Sequence, residues 1–268
     1  MQGIQLLKDE KIEPPRLTAE LLLMHALRKE RVFLFSHSGD ALPEVAWIHY
    51  GRYLHERISG KPAQYIIGKQ EFYTRVFWVK PGVLFPRPES VHLIEFVLGL
   101  ARPVGRILDA GVGSGAICVT LAAELRQTIF GVDLSETALE VTRENARRHG
   151  ADVRLLRGDW LSAIAPRSLD LLVSNPPYIA EGDRVGLQRE VRDHEPDLAL
   201  YAGREGLDAY RIIERQAREA LRPGGRIVVE IGAIETREIF ESWQDVSVTN
   251  DLAGRPCMLT ALWDAERA

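Results

Sequence analysis

The chain has 268 residues, 46% of them hydrophobic and 27% charged, with 22 Gly, 14 Pro and a net charge of −4. That composition belongs to a globular protein of one large or two unequal domains and excludes collagen-like, disordered and disulfide-stapled classes. The longest run without Asp, Glu, Lys or Arg, residues 110–123, is Gly-rich and falls short of the ~20 apolar residues of a membrane span.

Residues 1–58 read as a helical domain. Leu17, Leu21, Met24 and Leu27 define one apolar face behind the start signal Pro14-Pro15. A second helix begins near Pro43 and carries Val45, Ile48, Leu54 and Ile58 towards Ser59-Gly60. Positive and negative charges balance here, as in a small bundle with a solvated outer face. Residues 59–84 form a linker. Within it 65–79 is rich in aromatic and β-branched residues and reads as a β-hairpin, followed by the turn pair Pro81-Gly82. Phe85-Pro86-Arg87-Pro88-Glu89 then fixes an extended path ahead of a helix over 90–100.

From Gly105 onward strands and helices alternate. Strands are expected at 106–110, 128–132, 153–156, 169–174, 226–231, 246–249 and 258–263. Helices are expected at 115–125, 135–149, 209–221 and 234–242. Ser135 is the expected N-cap, Gly150 the helix stop, and Pro223-Gly224-Gly225 the end of the third helix. This rhythm predicts an α/β domain over residues 85–268, with a mostly parallel sheet and helices on both faces. The last two strands have no helix between them and are expected to form a terminal antiparallel pair.

The segment Asp109, Ala110, Gly111, Val112, Gly113, Ser114, Gly115 lies between the first strand and its helix. Glycines there permit a tight turn and let a ligand approach bare backbone beside a helix N-terminus. Gly111, Gly113 and Ala116 also satisfy the dinucleotide-binding pattern, so the loop alone does not choose a ligand. Asp133 ends the second strand, roughly 20 residues on, where a carboxylate can take both ribose hydroxyls. Asp159 and Trp160 close the third strand and offer an acceptor for an exocyclic amine and an aromatic face for a purine. Together these positions favour an adenosine-containing cofactor over a turn that merely packs helix on strand.

Asn175-Pro176-Pro177-Tyr178 ends the fourth strand and selects the chemistry. The prolines stiffen the backbone and donate no N–H, so nearby carbonyls are presented as acceptors. The Asn175 side-chain oxygen and the Pro176 carbonyl can accept both hydrogens of a planar NH₂ group, and Tyr178 can stack on it. An amide nitrogen is a poor nucleophile. Orientation, and acceptors that strengthen as positive charge develops, are then the sources of rate.

The chain resembles the HemK/PrmC family of protein-(glutamine-N5) methyltransferases over nearly its whole length. The likeness rests on Glu56 with Gly60-Lys61-Pro62, Tyr65-Ile66-Ile67-Gly68, Phe85-Pro86-Arg87-Pro88-Glu89, the glycine loop, Asn175–Tyr178, Glu195-Pro196, residues 221–225 and Asp251-Leu252-Ala253-Gly254-Arg255. Asn-Pro-Pro-Tyr alone is shared with adenine-N6 DNA and rRNA guanine-N2 methyltransferases; the linker and the Phe85–Glu89 segment separate this family from them. The resemblance implies a class I, Rossmann-like fold with a seven-stranded sheet, and S-adenosyl-L-methionine as methyl donor, released as S-adenosyl-L-homocysteine. The implied substrate is the glutamine in the Gly-Gly-Gln loop of class I peptide chain release factors. It assigns cofactor contacts to Gly111–Gly115, Asp133, Trp160 and Asn175, the substrate glutamine to Asn175–Tyr178, and the mouth of the site to Phe85 and Arg87. Ala110 stands where Leu is common in that family, Ser90 where Thr is, and Glu235 where Gln is usual.

A nucleic-acid amino-methyltransferase would predict a basic groove or target-recognition insert, whereas the loop over 179–210 mixes signs and the net charge is negative. An NAD-dependent oxidoreductase would leave Asn175–Tyr178 without a use. A non-catalytic binding protein on the same fold would have no reason to keep both motifs. The histidines show no paired-ligand spacing, so no metal is expected. Glu181 and Asp183 follow the fourth strand and read as solvated loop carboxylates. Cys118 and Cys257 lie far apart, and the first residues carry no basic-then-apolar leader, so a cytoplasmic location without membrane association is expected.

Overall fold

A computed structural model describes residues 2–101 and 105–264. Two compact units emerge, one from residues 1–69 with 187–194, the other from 70–186 with 195–268.

The smaller unit is helical: α1 (Gln2–Asp9), α2 (Pro15–Leu27), α3 (Arg31–Ser36), α4 (Glu44–Ile58) and α5 (Ala63–Ile67). Its core is Leu7, Ala19, Leu22, Tyr50, Leu54 and Ala63. The apolar faces differ from those expected. Leu17, Val45 and Ile48 point to solvent, and α2 instead buries Thr18, Ala19 and Leu22 while α4 buries Ala46, Tyr50, Leu54 and Arg57. Small residues let the helices approach, and Gly3 leaves room for the Tyr50 hydroxyl, which an added Cβ would overlap at 2.1 Å. The Tyr65–Ile67 part of the expected hairpin is the end of α5. Pro62 at its start and left-handed Gly68 at its end outweigh the β-branched composition. The hairpin itself is β1 (Lys69–Phe72) and β2 (Arg75–Trp78).

In the larger unit a 3₁₀ turn over Pro88–Ser90 leads into α6 (Val91–Leu98). The Rossmann-like part follows as β3 (Ile107–Ala110), α7 (Ala116–Leu125), β4 (Ile129–Asp133), α8 (Glu136–His149), β5 (Val153–Arg157) and β6 (Leu169–Ser174). The stretch read as a loop over 179–210 carries a 3₁₀ turn at Glu181–Gly186, the short helix α9 (Arg189–His194), which belongs to the smaller unit, and the short helix α10 (Asp197–Leu200), and runs into α11 (Asp208–Ala220). The chain ends with β7 (Leu221–Glu230), α12 (Thr236–Ile239), β8 (Gln244–Asn250) and β9 (Pro256–Leu262).

The seven-stranded sheet runs β5-β4-β3-β6-β7-β9-β8, parallel through β7 with β9 antiparallel to both its neighbours. The expected terminal antiparallel pair is present, with β9 inserted between β7 and β8. Helix α11 ends at Ala220, just ahead of Pro223-Gly224-Gly225 as expected, and this segment has a second role. It bulges within β7, where the register to β6 jumps from Leu221 to Arg226 because Pro223 has no N–H to give the ladder. The expected helix over 234–242 shrinks to four residues. Phe240 and Trp243 are drawn into the core beside Trp263 instead. Ile107, Val119, Leu121, Leu171 and Val228 fill one face of the sheet, and Leu108, Leu172, Tyr210, Ile213 and Leu259 the other. No helix among the described residues is long and apolar enough to cross a membrane.

Candidate active site

Strands β3 and β6 are parallel neighbours with Ala110 opposite Ser174, and the Ser174 hydroxyl donates to the Ala110 carbonyl at 2.6 Å. The sheet order reverses at this pair, so the loops leaving the two strands open a crevice at their carboxyl ends. The glycine loop leaves one strand and Asn175–Tyr178 leaves the other.

Gly111, Gly113 and Gly115 adopt φ of 78°, 54° and 82°, a region that side-chain-bearing residues avoid. The Gly111 and Val112 amides donate to the Val132 carbonyl at 2.8 and 3.2 Å, binding the loop to β4. Helix α8 holds it from the other side. Thr142 donates to the Gly113 carbonyl at 3.0 Å, and the Asn145 amide to the Ser114 carbonyl at 2.9 Å. Asn145, wholly buried, also exchanges hydrogen bonds with both backbone groups of Trp78, at 2.8 and 2.9 Å, and so ties the hairpin to the loop. Beneath the loop Asp109 is buried, its Oδ2 accepting from the Cys118 amide at 3.1 Å. Desolvation pushes this carboxyl up to about 7, and the nearby charge of Asp133 adds to the effect.

Asp133 accepts from the Gly113 amide at 2.9 Å and the Ser135 amide at 2.8 Å. Burial raises its pKa, while these amides oppose the rise. Ser135 caps α8 as expected, accepting from the Ala138 amide at 3.3 Å. Asp159 and Trp160 lie beyond β5 rather than at its end, in a turn where Trp160 has φ 51°. The Trp160 ring covers Gly111, where an added Cβ would meet it at 3.4 Å.

These elements enclose a cavity of about 240 Å³. Of the expected site residues, Gly111, Gly113, Asp133, Asp159, Trp160, Asn175 and Pro177 line it. Asp109, Val112, Ser114 and Gly115 shape the loop without reaching that wall. The sequence assigned no site role to the rest of the lining, which comes from Gly82–Leu84, from the end of β4 and start of α8, from Gly158, and from Pro196, Leu198 and Ala199 around α10.

Pro176, Tyr178, Phe85 and Arg87 lie off this wall. The Tyr178 ring rests on Gly232, where an added Cβ would meet it at 2.5 Å, and the Tyr178 carbonyl is approached by Gly206. Desolvation, with the carboxylates of Glu230 and Glu89 nearby, pushes the Tyr178 hydroxyl up to about 12, so it stays neutral. Arg87 stacks its guanidinium 4.1 Å from the Phe85 ring centroid and pairs with the buried Glu195. Asn175 Nδ2 donates to Ser90 Oγ at 3.1 Å, and Ser90 Oγ donates to Glu230 Oε2 at 2.7 Å. Glu230 was not expected in the site. Its one sequence signal is a charged residue closing the apolar run Ile227-Val228-Val229.

Residues 1–68 match the family of PrmC N-terminal domains, and residues 93–191 match the methyltransferase small domain family. The chain is 45% identical to the release factor glutamine methyltransferase of Koribacter versatilis (strain Ellin345), across 90% of this chain and 89% of that one. It is 41% identical to the protein of the same name from Nitratidesulfovibrio vulgaris (strain Hildenborough), across 93% and 89%. A crystal structure of a methyltransferase from Pyrococcus furiosus superposes with a TM-score of 0.52 at 18% identity, covering 70% of this chain and 88% of that one. This last likeness is one of fold.

Proposed function

This chain belongs to the release factor glutamine methyltransferase family, and from that premise we propose that it methylates the side-chain amide nitrogen of the glutamine in the Gly-Gly-Gln loop of class I peptide chain release factors. The observation that carries the reading is the register of β3 and β6, which sets Asn175 and the glycine loop on one crevice.

The crevice fits S-adenosyl-L-methionine. Gly111 offers bare backbone under the Trp160 ring, Asp133 a carboxylate for ribose hydroxyls, and Val83, Leu84, Leu134 and Leu198 apolar walls. When bound, this cofactor supplies an electrophilic methyl group on a sulfonium and is left as S-adenosyl-L-homocysteine. Asn175 Oδ1 and the Pro176 carbonyl accept the two hydrogens of the substrate NH₂, which turns the nitrogen lone pair toward the methyl group. Tyr178, neutral and seated on Gly232, supplies a flat face for the amide. Both acceptors bind more strongly as positive charge develops on nitrogen, so they favour the transition state over the ground state.

The helical unit is the recognition module in this reading. It exposes Trp47 and Ile48 on α4, at 52% and 61%. Changing both to Ser is expected to raise KM for an intact release factor about fivefold or more, while kcat holds. An unchanged KM would remove recognition from this face.

The test of the whole reading is methyl transfer from labelled S-adenosyl-L-methionine to a purified release factor, with the site mapped by mass spectrometry. A release factor with Gln→Ala in its Gly-Gly-Gln loop is the control, and DNA and rRNA run in parallel. Label on that glutamine, lost in the control, supports the reading. Label on adenine or guanine alone would overturn it in favour of a nucleic-acid amino-methyltransferase.

A further inference from the structure

Ser90 has one proton and gives it to Glu230, at 2.7 Å. Its oxygen is therefore an acceptor toward Asn175, 3.1 Å away, so Asn175 must present its NH₂ to Ser90 and its Oδ1 to the other side. The hydroxyl and the carboxylate of Glu230, which also takes a hydrogen bond from Asn175, fix this orientation together. Asn175 also lines the crevice, so the side left facing outward is the one a substrate meets. Glu230 is 3% exposed and Ser90 likewise 3%, which keeps water from substituting for either partner.

We propose that Ser90 and Glu230 are positioning residues for methyl transfer: the Glu230 carboxylate sets the direction of the chain Asn175→Ser90→Glu230 and thereby holds the Asn175 carboxamide oxygen toward the substrate amide. The inference rests on the proposed function and deepens it, because it explains how an asparagine with two nearly isosteric faces presents the accepting one. With Glu230 protonated the chain can run backwards. Its O–H donates to Ser90, the Ser90 proton turns to Asn175 Oδ1, and the carboxamide flips. Its NH₂ then faces the substrate NH₂, donor against donor, and the nucleophile loses its alignment.

Desolvation pushes Glu230 up to about 7, with the carboxylate of Glu89 adding and Ser90, Arg87 and Asn175 opposing. Beyond burial, the Glu230 charge in turn raises the pKa of the titratable groups facing it, Tyr178 after β6, Tyr210 of α11 and Cys257 of β9. Tyr210 donates its hydroxyl to the Glu230 main-chain carbonyl at 2.9 Å, so it leaves the carboxylate to Ser90 and Asn175.

The experiment measures single-turnover methyl transfer to an intact release factor against pH, with S-adenosyl-L-homocysteine binding by calorimetry, for wild type, Ser90→Ala, Ser90→Thr and Glu230→Gln. Ser90→Ala is expected to slow transfer about tenfold or more, the loss of one anchoring hydrogen bond, with cofactor-product affinity within about threefold. Ser90→Thr keeps the hydroxyl and should recover most of the rate. Wild-type activity should fall as pH drops through neutrality, and Glu230→Gln, which cannot ionise there, should flatten that limb. An active wild type whose Ser90→Ala rate is unchanged, or whose acid limb is undiminished in Glu230→Gln, would overturn this inference and leave the proposed function standing. A wild type that labels no release factor would instead overturn the function on which the inference rests.

Discussion

The two halves of the crevice are built by different means. The glycine-loop half is backbone and local: three left-handed glycines, a carboxylate bonded to the Gly113 amide across 20 residues, and a Trp ring over bare Gly111. The Asn175 half is a relay of side chains, joining residues 85 positions apart at Asn175–Ser90 and 140 apart at Ser90–Glu230. The glycine turn at the centre of the first half can be written in a short motif. A site made of side chains from three segments exists only once the sheet has formed. The difference also separates the tasks: the first half can bind without the second, while the second has nothing to align without the first.

Breaking one half at a time sharpens this contrast. The largest effect is expected at Asn175. Asn175→Ala should lower kcat/KM for the release factor by about 2–4 kcal/mol of transition-state stabilisation, read from steady-state methyl transfer. Gly111→Val attacks the other half, forcing a β-branched residue to φ 78° beneath Trp160. Strain of about 1–3 kcal/mol should appear as weaker S-adenosyl-L-homocysteine binding in calorimetry. Asn145→Ala acts on the glycine-loop half from behind, away from the crevice. It strips the bonds to Trp78 and Ser114 and should cost about 2–3 kcal/mol of stability, seen as a lower denaturation midpoint. A midpoint within error of wild type would mean that the loop does not depend on α8 for its shape.

Legibility in the sequence follows the same division. The alternation of strands and helices and the Ser135 cap were readable because each rests on local periodicity or local cap chemistry. The faces of α2 and α4 were misread because their cores are made by small residues, Ala19 and Ala46, and by Thr18, which apolar periodicity undercounts. Pro223-Gly224-Gly225 marks the end of α11 in the sequence but not the bulge that it forms in β7, since both use the same residues. Asn175 was legible as a motif residue and Ser90 only as a position where the family usually has Thr, while Asn145 and Glu230 have no local signal that joins them to the site. The partner of Glu230 lies 140 residues earlier.

The central claim is that binding and alignment belong to separate halves of one crevice. Its most direct measurement sets Asn175→Ala and Gly111→Val side by side in two assays: S-adenosyl-L-homocysteine affinity by calorimetry, and single-turnover methyl transfer at saturating cofactor. The account predicts a crossed result. Asn175→Ala keeps affinity within about threefold and loses transfer, whereas Gly111→Val loses affinity and recovers most of its transfer once saturated. Parallel losses in both variants, or near-normal transfer by Asn175→Ala, would contradict it.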